Sequence, residues 1–295
     1  MRVVVTGGSG LVGKHLQEIL PDAFYLSSKD CDLTDIKKVR WMISSYTPDV
    51  VIHLAARVGG IQDNLKYPAD YFDDNILINT NIVKVCKEYD VKRFIGILST
   101  CIYPSVVDSY PMTEEDLFIG PPPPSNFSYG YAKRCLAVQI DAYNKQFGTK
   151  YNYLIPCNLY GDYDNLHNEN KMHFITALLN KIRNSQDNSL HLLGTGKPLR
   201  QFMYAGDLAK IIKLVIENNI TESFNVAPDF NYSIDQMAKI ALDITNKDYD
   251  IIYDLPELDG QYRKDVSNKK LLKLFPDFKF TQLKEGLKKV YDKIS

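Results

Sequence analysis

The sequence predicts an α/β fold of the Rossmann type, a doubly wound parallel sheet with a smaller C-terminal lobe that binds substrate. Short runs that are apolar on both faces alternate with longer stretches of helical spacing, as in a parallel sheet covered by helices. A glycine-rich turn at residues 6–13 directly follows the first apolar run. The 295 residues of the chain suffice for one such domain and a smaller lobe.

Strands and helices are expected to alternate through residue 158, joined by right-handed crossovers. The predicted strands of this half are residues 3–6, 23–27, 49–56, 93–100 and 151–158. The predicted helices between them are residues 12–20, 36–45, 70–88 and 129–147. The second half is less regular, with helices expected at 172–182, at 234–245 and near the C-terminus, and strands at 190–193 and 224–227.

The composition excludes several classes of function. Hydrophobic residues make up 45% of the chain and the formal net charge is -1, so no basic surplus indicates nucleic-acid binding. No run of about 18 apolar residues predicts a membrane span. The five cysteines are widely spaced and the histidines lack metal-ligand spacing, which predicts reduced thiols, no metal site and a cytoplasmic location.

The glycine-rich turn predicts a dinucleotide site. Gly7, Gly10 and Gly13 are spaced three apart between a strand and a helix. Small residues allow a tight turn and close approach of a pyrophosphate to the helix N-terminus. The alternative is a glycine turn without a ligand. The residues expected to contact the dinucleotide here are Gly7, Gly8, Ser9, Gly10, Leu11, Val12 and Gly13.

The end of the second strand favours NADP(H) over NAD(H). A site for NAD usually has a carboxylate here that binds the ribose 2′-hydroxyl. This chain instead has Ser28 and Lys29, which suit a 2′-phosphate, and no carboxylate before Asp30. The alternative is that Lys29 is a solvated surface lysine. Asp32 and Leu33 are expected to border the adenine.

A tyrosine and a lysine at helical spacing predict a catalytic pair. Tyr129 and Lys133 lie four residues apart and so share a helix face. A cationic lysine beside the phenol would favour the tyrosinate and lower the pKa of Tyr129. Ser99 lies at the carboxyl end of the fourth predicted strand, where ligands of such sheets bind. Together these groups could hydrogen-bond a carbonyl and supply its proton during hydride transfer, although an isolated match of this spacing is often a surface pair.

Several motifs carry a resemblance to a known family. They read TGGSGLVG, HLAA, STCIYP, YGYAK and PCNLYG. The chain resembles the extended short-chain dehydrogenase/reductases, and within them the GDP-L-fucose synthase family of NADPH-dependent 3,5-epimerase/4-reductases acting on GDP-4-keto-6-deoxy-mannose. The resemblance runs through residues 1–275.

The resemblance implies roles for individual residues. Ser99 and Tyr129 would bind the sugar ketone, Lys133 the nicotinamide ribose, and Cys101 and His173 would exchange the protons at C3 and C5. The further residues that would line the cofactor are Leu54, Ala55, Ala56, Leu98, Pro156, Asn158, Leu159 and His173. Those that would line the substrate, besides Ser99, Cys101 and Tyr129, are Thr100, Asn158, Lys181, Leu193, Arg200, Asp259 and Lys264.

The resemblance also has departures and implications for organisation. Lys181 replaces an arginine and Leu193 a tryptophan that the family often carries on the substrate side. We place the cofactor-binding domain at residues 1–165, with core strands continuing into the second half, and a mainly substrate-binding lobe at 166–295. A homodimer is expected through helix 129–147 and the long helix before the fourth strand.

Three alternatives stay open at the level of sequence. The first is a reductase that acts only at C4 of a related GDP-keto sugar such as a heptose. The second is a 4-epimerase or 4,6-dehydratase; the missing carboxylate after strand two disfavours the epimerase, and the lack of an acidic pair after Thr100 disfavours the dehydratase. The third is a non-catalytic NADP-binding regulator, which the retained Tyr129 and Lys133 disfavour.

Overall fold

The computed structural model of the chain describes residues 1–164, 172–256 and 259–294. Its strands in chain order are β1 Val3–Thr6, β2 Phe24–Leu26, β3 Val50–His53, β4 Arg93–Ile97, β5 Lys150–Pro156, β6 Asn158–Tyr160, β7 Ser189–Leu193, β8 Leu199–Arg200, β9 Phe202–Tyr204, β10 Phe224–Val226, β11 Tyr232–Ser233 and β12 Asp250–Asp254. Its α-helices are α1 Leu11–Ile19, α2 Ile36–Tyr46, α3 Ile61–Lys66, α4 Pro68–Glu88, α5 Phe127–Phe147, α6 Phe174–Asn184, α7 Ala205–Glu217, α8 Ile234–Thr245, α9 Lys269–Leu274 and α10 Leu283–Ile294.

The main sheet confirms the predicted fold class. Within the described residues it has six strands in the order β2-β1-β3-β4-β5-β10, and every pairing is parallel. The chain leaves β1 toward β2 on one side and reaches β3 on the other. Ligands of doubly wound sheets bind beyond the carboxyl ends of the strands at this reversal of strand order.

Helices cover both faces of the sheet because its central strands are apolar on both sides. All residues of β1 and β3 are buried. Right-handed crossovers place α1 on one face and α2, α4 and α5 on the other. Accordingly, α1 packs beside α7, and α4 packs between α2 and α5.

A second, smaller core lies beyond the main sheet. It is built from α6, α8 and α10 around the short pairs β6–β9 and β7–β12, with Leu179, Met237 and Leu287 at its centre. Strand β10 and helix α7 nevertheless belong to the main domain, although they come from the second half of the chain. The domain boundary at residue 165 falls outside the described residues and stays a prediction.

The structure differs from the predicted elements at several ends. The strand predicted through residue 56 ends at His53, and the strand predicted through residue 100 ends at Ile97. Ser99 ends the second of these by capping a short 3₁₀ turn, Thr100–Ile102. Helices α3 and α7 were not predicted. In the parts of the chain that are described, no helix is long and apolar enough to cross a membrane.

Candidate active site

The glycine turn between β1 and α1 is packed so tightly that side chains are excluded. Gly7 has a φ of +72°, and a Cβ there would lie 2.7 Å from the backbone nitrogen of Ala55. A Cβ on Gly13 would lie 2.4 Å from the carbonyl oxygen of Gly8. Helix α1 begins after Gly10 with no side-chain cap and no acidic residue in its first turn. Its first N–H groups and its positive dipole end therefore suit a phosphate group.

In the loop after β2, the carboxylate of Asp30 accepts hydrogen bonds from within the loop. The side chain of Asp30 accepts hydrogen bonds from the backbone nitrogen of Ser27 at 2.8 Å and from its Oγ at 2.6 Å. These bonds lower the pKa of Asp30. Ser28 and Lys29 are exposed at the tip of the same loop. The side chains free at this position are thus a hydroxyl and a cation, as a 2′-phosphate site requires.

The loop continues into the residues expected to border the adenine. The carboxylate of Asp32 accepts hydrogen bonds from the backbone nitrogen of Thr34 at 3.0 Å and from its Oγ1 at 2.7 Å. Leu33 is buried in the main core. Their contact with an adenine stays a prediction.

Seven of the predicted cofactor-lining residues lie at one edge of the sheet. They are Leu54, Ala55 and Ala56 after β3, Leu98 after β4, Pro156 at the end of β5, and Asn158 and Leu159 in β6. Because the strands are parallel, their carboxyl ends meet beside the glycine turn. The edge is therefore continuous from the turn to the predicted catalytic residues.

Lys133 is anchored in the core beneath this edge. It is 2% exposed, and its Nζ donates a hydrogen bond to the carbonyl oxygen of Ile97 at 2.8 Å. Burial lowers the pKa of Lys133 to about 8. The ammonium thus lies directly below the end of β4, within the same region as Ser99.

A buried hydrogen-bonded chain fixes the helix that carries this lysine. Thr6 Oγ1 lies 2.8 Å from Nδ1 of His53, whose Nε2 lies 3.1 Å from Oδ1 of Asn79. The amide nitrogen of Asn79 donates to the carbonyl oxygen of Ala132, next to Lys133. Burial, and then the charge of Lys133, lower the pKa of His53 to about 3, so the ring is neutral. These contacts tie β1, β3 and α4 to α5.

Tyr129 lies close to Cys101 but its pKa is shifted upward. Burial raises the pKa of Tyr129, and the negative charges of ionised Cys101 and Tyr71 add to that shift. The ring meets that of Tyr71 edge to face, with 6.5 Å between centroids. The sequence-based expectation of a lowered pKa is not met, because the effect of burial dominates. The Nζ of Lys133 donates its hydrogen bond to the carbonyl oxygen of Ile97. A raised pKa keeps the phenol protonated, as a proton donor requires.

Cys101 is held beside a cation that sequence reasoning placed only near the substrate. The Nζ of Lys264 lies 3.0 Å from Sγ of Cys101. Burial alone would raise the pKa of the thiol, but the charge of Lys264 and hydrogen bonds with Ser99, Lys264 and Asn126 outweigh it, so the pKa is lowered. Cys101 is partly exposed. A lowered pKa and partial exposure are the properties of a reactive thiolate.

Ser99 and Thr100 complete this cluster. Ser99 Oγ accepts a hydrogen bond from the backbone nitrogen of Cys101 at 3.3 Å. Thr100 is 1% exposed and so turns its side chain into the protein. The structure therefore brings Ser99, Cys101, Tyr129 and Lys264 together at one site, with Lys133 beneath it.

Arg200 and Asp259 border the same site. Burial lowers the pKa of Arg200, while the charges of Cys101 and Asp259 act in the opposite direction, which places both groups near the guanidinium. Asp259 accepts hydrogen bonds from the backbone nitrogen and the Oγ1 of Thr195, both at 2.6 Å. Asn158 donates to the carbonyl oxygen of Gln201 at 2.9 Å. Their contacts with a nucleotide-sugar stay predictions.

His173 and the two departures from the family pattern lie on the second lobe. His173 is the N-cap residue of α6, and within the described residues its side chain bonds Asp164 and not Cys101. Lys181 is exposed and donates to the carbonyl oxygen of His191 at 3.0 Å. Leu193 is 51% exposed. Among the described residues, no group of three or more His, Cys, Asp or Glu side chains could hold a metal ion.

A parallel sheet with a glycine turn at its reversal point and a Ser–Tyr–Lys set beyond its strand ends defines a nucleotide-binding oxidoreductase of the short-chain dehydrogenase type. The chain belongs to the NAD dependent epimerase/dehydratase family, whose family model matches residues 3–227.

Proteins similar to this chain carry one name repeatedly. A GDP-L-fucose synthase of Dictyostelium discoideum is 40% identical over 97% of this chain and 92% of its own length. A probable GDP-L-fucose synthase of Drosophila melanogaster is 35% identical over 97% of this chain and 94% of its own length. The crystal structure of a GDP-L-fucose synthetase from Naegleria fowleri bound to NADP has a TM-score of 0.89 at 33% identity, covering 99% of this chain and 93% of that one.

Proposed function

We propose that the chain is an NADPH-dependent 3,5-epimerase/4-reductase that converts a GDP-4-keto-6-deoxy-hexose into GDP-L-fucose or a related GDP-sugar. The observation that carries the proposal is the Lys264–Cys101 pair beside Tyr129. A reductase needs only the Ser–Tyr–Lys set, whereas an ionised thiol next to it supplies the base that epimerisation requires. The relatives named GDP-L-fucose synthase support the same substrate class.

The epimerisation follows from the acidity of the sugar. The hydrogens at C3 and C5 flank the C4 ketone, so their removal gives an enolate whose charge rests on the ketone oxygen. Cys101 takes the proton from one face of the ring, and His173 returns a proton on the opposite face. The hydroxyl groups of Ser99 and Tyr129 donate hydrogen bonds to the enolate oxygen.

The reduction uses the same donors. Bound NADPH supplies a hydride to C4. Tyr129 gives its proton to the oxygen as the ketone becomes an alcohol, and the raised pKa keeps that proton available. Lys133 would hold the nicotinamide ribose from below. Arg200 and Asp259 would bind the nucleotide part of the substrate.

The proposal is tested with GDP-4-keto-6-deoxy-mannose and NADPH. We expect loss of the nicotinamide absorbance and formation of GDP-L-fucose, identified by NMR of the purified product. No oxidation by a protein that binds NADPH would overturn the substrate assignment. Oxidation that yields a product with unchanged C3 and C5 would leave a C4 reductase in its place.

We infer that the protein forms a homodimer through α4 and α5. Leu136 and Ile140 of α5 are buried in the core of the chain, but Val138 is 52% exposed on its outer face. Leu77 of α4, the helix that packs on α5, is 45% exposed. Sedimentation at micromolar concentration should show a dimer, which Val138→Glu weakens; a wild-type protein that stays monomeric would exclude it.

Five unpaired thiols support a reducing, cytoplasmic compartment.

A further inference from the structure

A carboxylate lies behind the histidine that exchanges protons in the proposed reaction. Asp164 Oδ1 lies 2.8 Å from Nδ1 of His173, and Oδ2 accepts a hydrogen bond from the backbone nitrogen of the same residue at 2.9 Å. The side chain of Asp164 is 3% exposed, whereas that of His173 is 41% exposed. The pair is therefore buried on the carboxylate side and open on the imidazole side.

The charge of Asp164 determines which ring nitrogen holds the proton. Burial alone would raise the pKa of Asp164, but the hydrogen bonds with the ring and backbone of His173, together with the charge of His173, outweigh it, so the pKa is lowered. An ionised carboxylate can only accept hydrogen bonds. Nδ1 of His173 must therefore carry a hydrogen in both charge states of the ring.

We propose that Asp164 is a positioning residue for epimerisation, which keeps Nδ1 of His173 protonated so that Nε2 is the atom that exchanges protons with the sugar. The inference rests on the proposed function, in which His173 returns a proton to the substrate. The imidazolium gives its Nε2 hydrogen to the enolate carbon and becomes the neutral tautomer protonated at Nδ1. Cys101 then releases the proton it took from the sugar to solvent and Nε2 regains one from solvent, so the protons balance and the carboxylate of Asp164 stays ionised throughout.

The fold explains why the two residues meet. Asp164 follows β6 by four residues, and α6, which begins directly after His173, packs on β6. Both carboxylate oxygens are directed at one residue, so the backbone bond fixes the position of His173 while the ring bond fixes its rotation. An alternative role is purely structural, in which Asp164 only anchors the start of α6. The positioning role requires a hydrogen on Nδ1 of His173, whereas the structural role does not depend on which ring nitrogen is protonated.

Asp164→Asn separates the roles. The two donors of His173 bond different oxygens of Asp164, and an amide keeps an accepting oxygen at only one of those two positions, with a donating nitrogen at the other. The backbone N–H of His173 can only donate, so it bonds the oxygen of the new amide. The NH₂ group of the amide then faces Nδ1 of His173. The variant therefore favours the opposite tautomer, protonated at Nε2, while the start of α6 keeps its anchor.

The chain offers a matched control. Nδ1 of His191 lies 2.9 Å from Oδ2 of Asp254, an equivalent pair in which both side chains are about half exposed. Asp254→Asn makes the same chemical change in a pair that takes no part in the proposed proton exchange. It should leave both the exchange at C3 and C5 and the tautomer of His173 unchanged.

The experiment has two readouts. ¹⁵N NMR of histidine-labelled protein, with the signals of the five histidines assigned by single His→Gln variants, reports the tautomer of His173. Deuterium entry at C3 and C5 of GDP-4-keto-6-deoxy-mannose in heavy water reports epimerisation. For Asp164→Asn we expect the Nε2–H tautomer and a fall of about 10²–10⁴-fold in exchange, seen in kcat with little change in KM.

The outcomes separate this inference from the proposed function. A neutral wild-type His173 ring whose single hydrogen lies on Nε2, or an Asp164→Asn protein that exchanges at the wild-type rate, would overturn the positioning role. If wild-type protein exchanges no deuterium, the proposed function fails, yet the wild-type tautomer still decides whether Asp164 holds Nδ1 protonated. That wild-type measurement also serves if the variant does not fold.

Discussion

The ammonium of Lys264 lies 3.0 Å from the sulfur of Cys101, although 163 positions separate the two residues along the chain. The contact reverses the effect that burial of the Cys101 sulfur would have on the pKa of the thiol. Burial alone makes such a thiol inert, as at Cys86, where it raises the pKa. Beside Lys264 the shift is reversed, so the pKa of Cys101 is lowered, as the proposed role of a base requires.

Removal of the cation should make the thiol less acidic. In Lys264→Met we expect alkylation of Cys101 by iodoacetamide to move to higher pH, because the charge that favours the thiolate is gone. Deuterium exchange at C3 and C5 should fall by about 10²–10⁴-fold. Lys269→Met, at an exposed position nearby, is the control. An unchanged alkylation profile in Lys264→Met would show that the contact does not set the pKa.

Tyr129 should be required for reduction and not for folding. Tyr129→Phe removes the proton given to the sugar oxygen, so we expect kcat for NADPH oxidation to fall by about 10²–10⁴-fold while NADPH binding persists. Fluorescence titration and single-turnover kinetics measure the two effects. Tyr131→Phe, on the same helix, should keep full activity. Near-normal turnover by Tyr129→Phe would remove the tyrosine from the mechanism.

Burial of Lys133 should leave a signature in the pH dependence of stability. Its pKa is lowered from 10.5 to about 8, so between these values the unfolded chain holds a proton that the folded chain has released. Stability therefore rises with pH across that window, by about 3 kcal/mol from this group.

Comparison with a variant isolates this contribution. Urea unfolding from pH 7.5 to 10.5 should show that rise in the wild-type protein relative to Lys133→Met, in which the group is absent. Lys145→Met, on the exposed side of the same helix, should track the wild-type protein. If the free energy of unfolding changes with pH in the same way in the wild-type protein and in Lys133→Met, the lowered pKa of Lys133 is contradicted.

The loop after β2 should set the cofactor preference. Lys29→Glu places a carboxylate where we expect the 2′-phosphate, so NADPH binding should weaken by about tenfold or more while NADH binding is retained or improved. Lys37→Glu makes the same charge change on the exposed surface of α2 and should leave the preference unaltered. Equal effects of the two substitutions on the ratio of the two affinities would mean that Lys29 acts only through net charge.

Local patterns predicted the frame of the molecule. The glycine turn, the apolar strands and the Tyr129–Lys133 pair could each be predicted from residues close in sequence. The strands form the sheet, and the turn and the pair lie at its carboxyl edge. Helix α7 was missed because it is buried on most of its surface, and an apolar run without polar alternation does not distinguish a helix from a buried strand.

The chemistry of the site depends on contacts between distant segments. The effect of Lys264 on Cys101, and the rise in the pKa of Tyr129, follow from packing and burial that no local pattern encodes. Asp164 lies three residues after the PCNLYG motif, but its proposed role depends on a side-chain contact with His173. The sequence feature that could have indicated this contact is an aspartate nine positions before His173, at the start of a predicted helix.

The central claim is that one site both epimerises and reduces the sugar. The most direct test mixes the protein with GDP-4-keto-6-deoxy-mannose and NADPH in heavy water and locates deuterium in the product by NMR. We predict NADPH oxidation with deuterium at both C3 and C5, and loss of that deuterium in Cys101→Ser. Oxidation without deuterium at either carbon would contradict the account and leave Cys101 and His173 without their proposed roles.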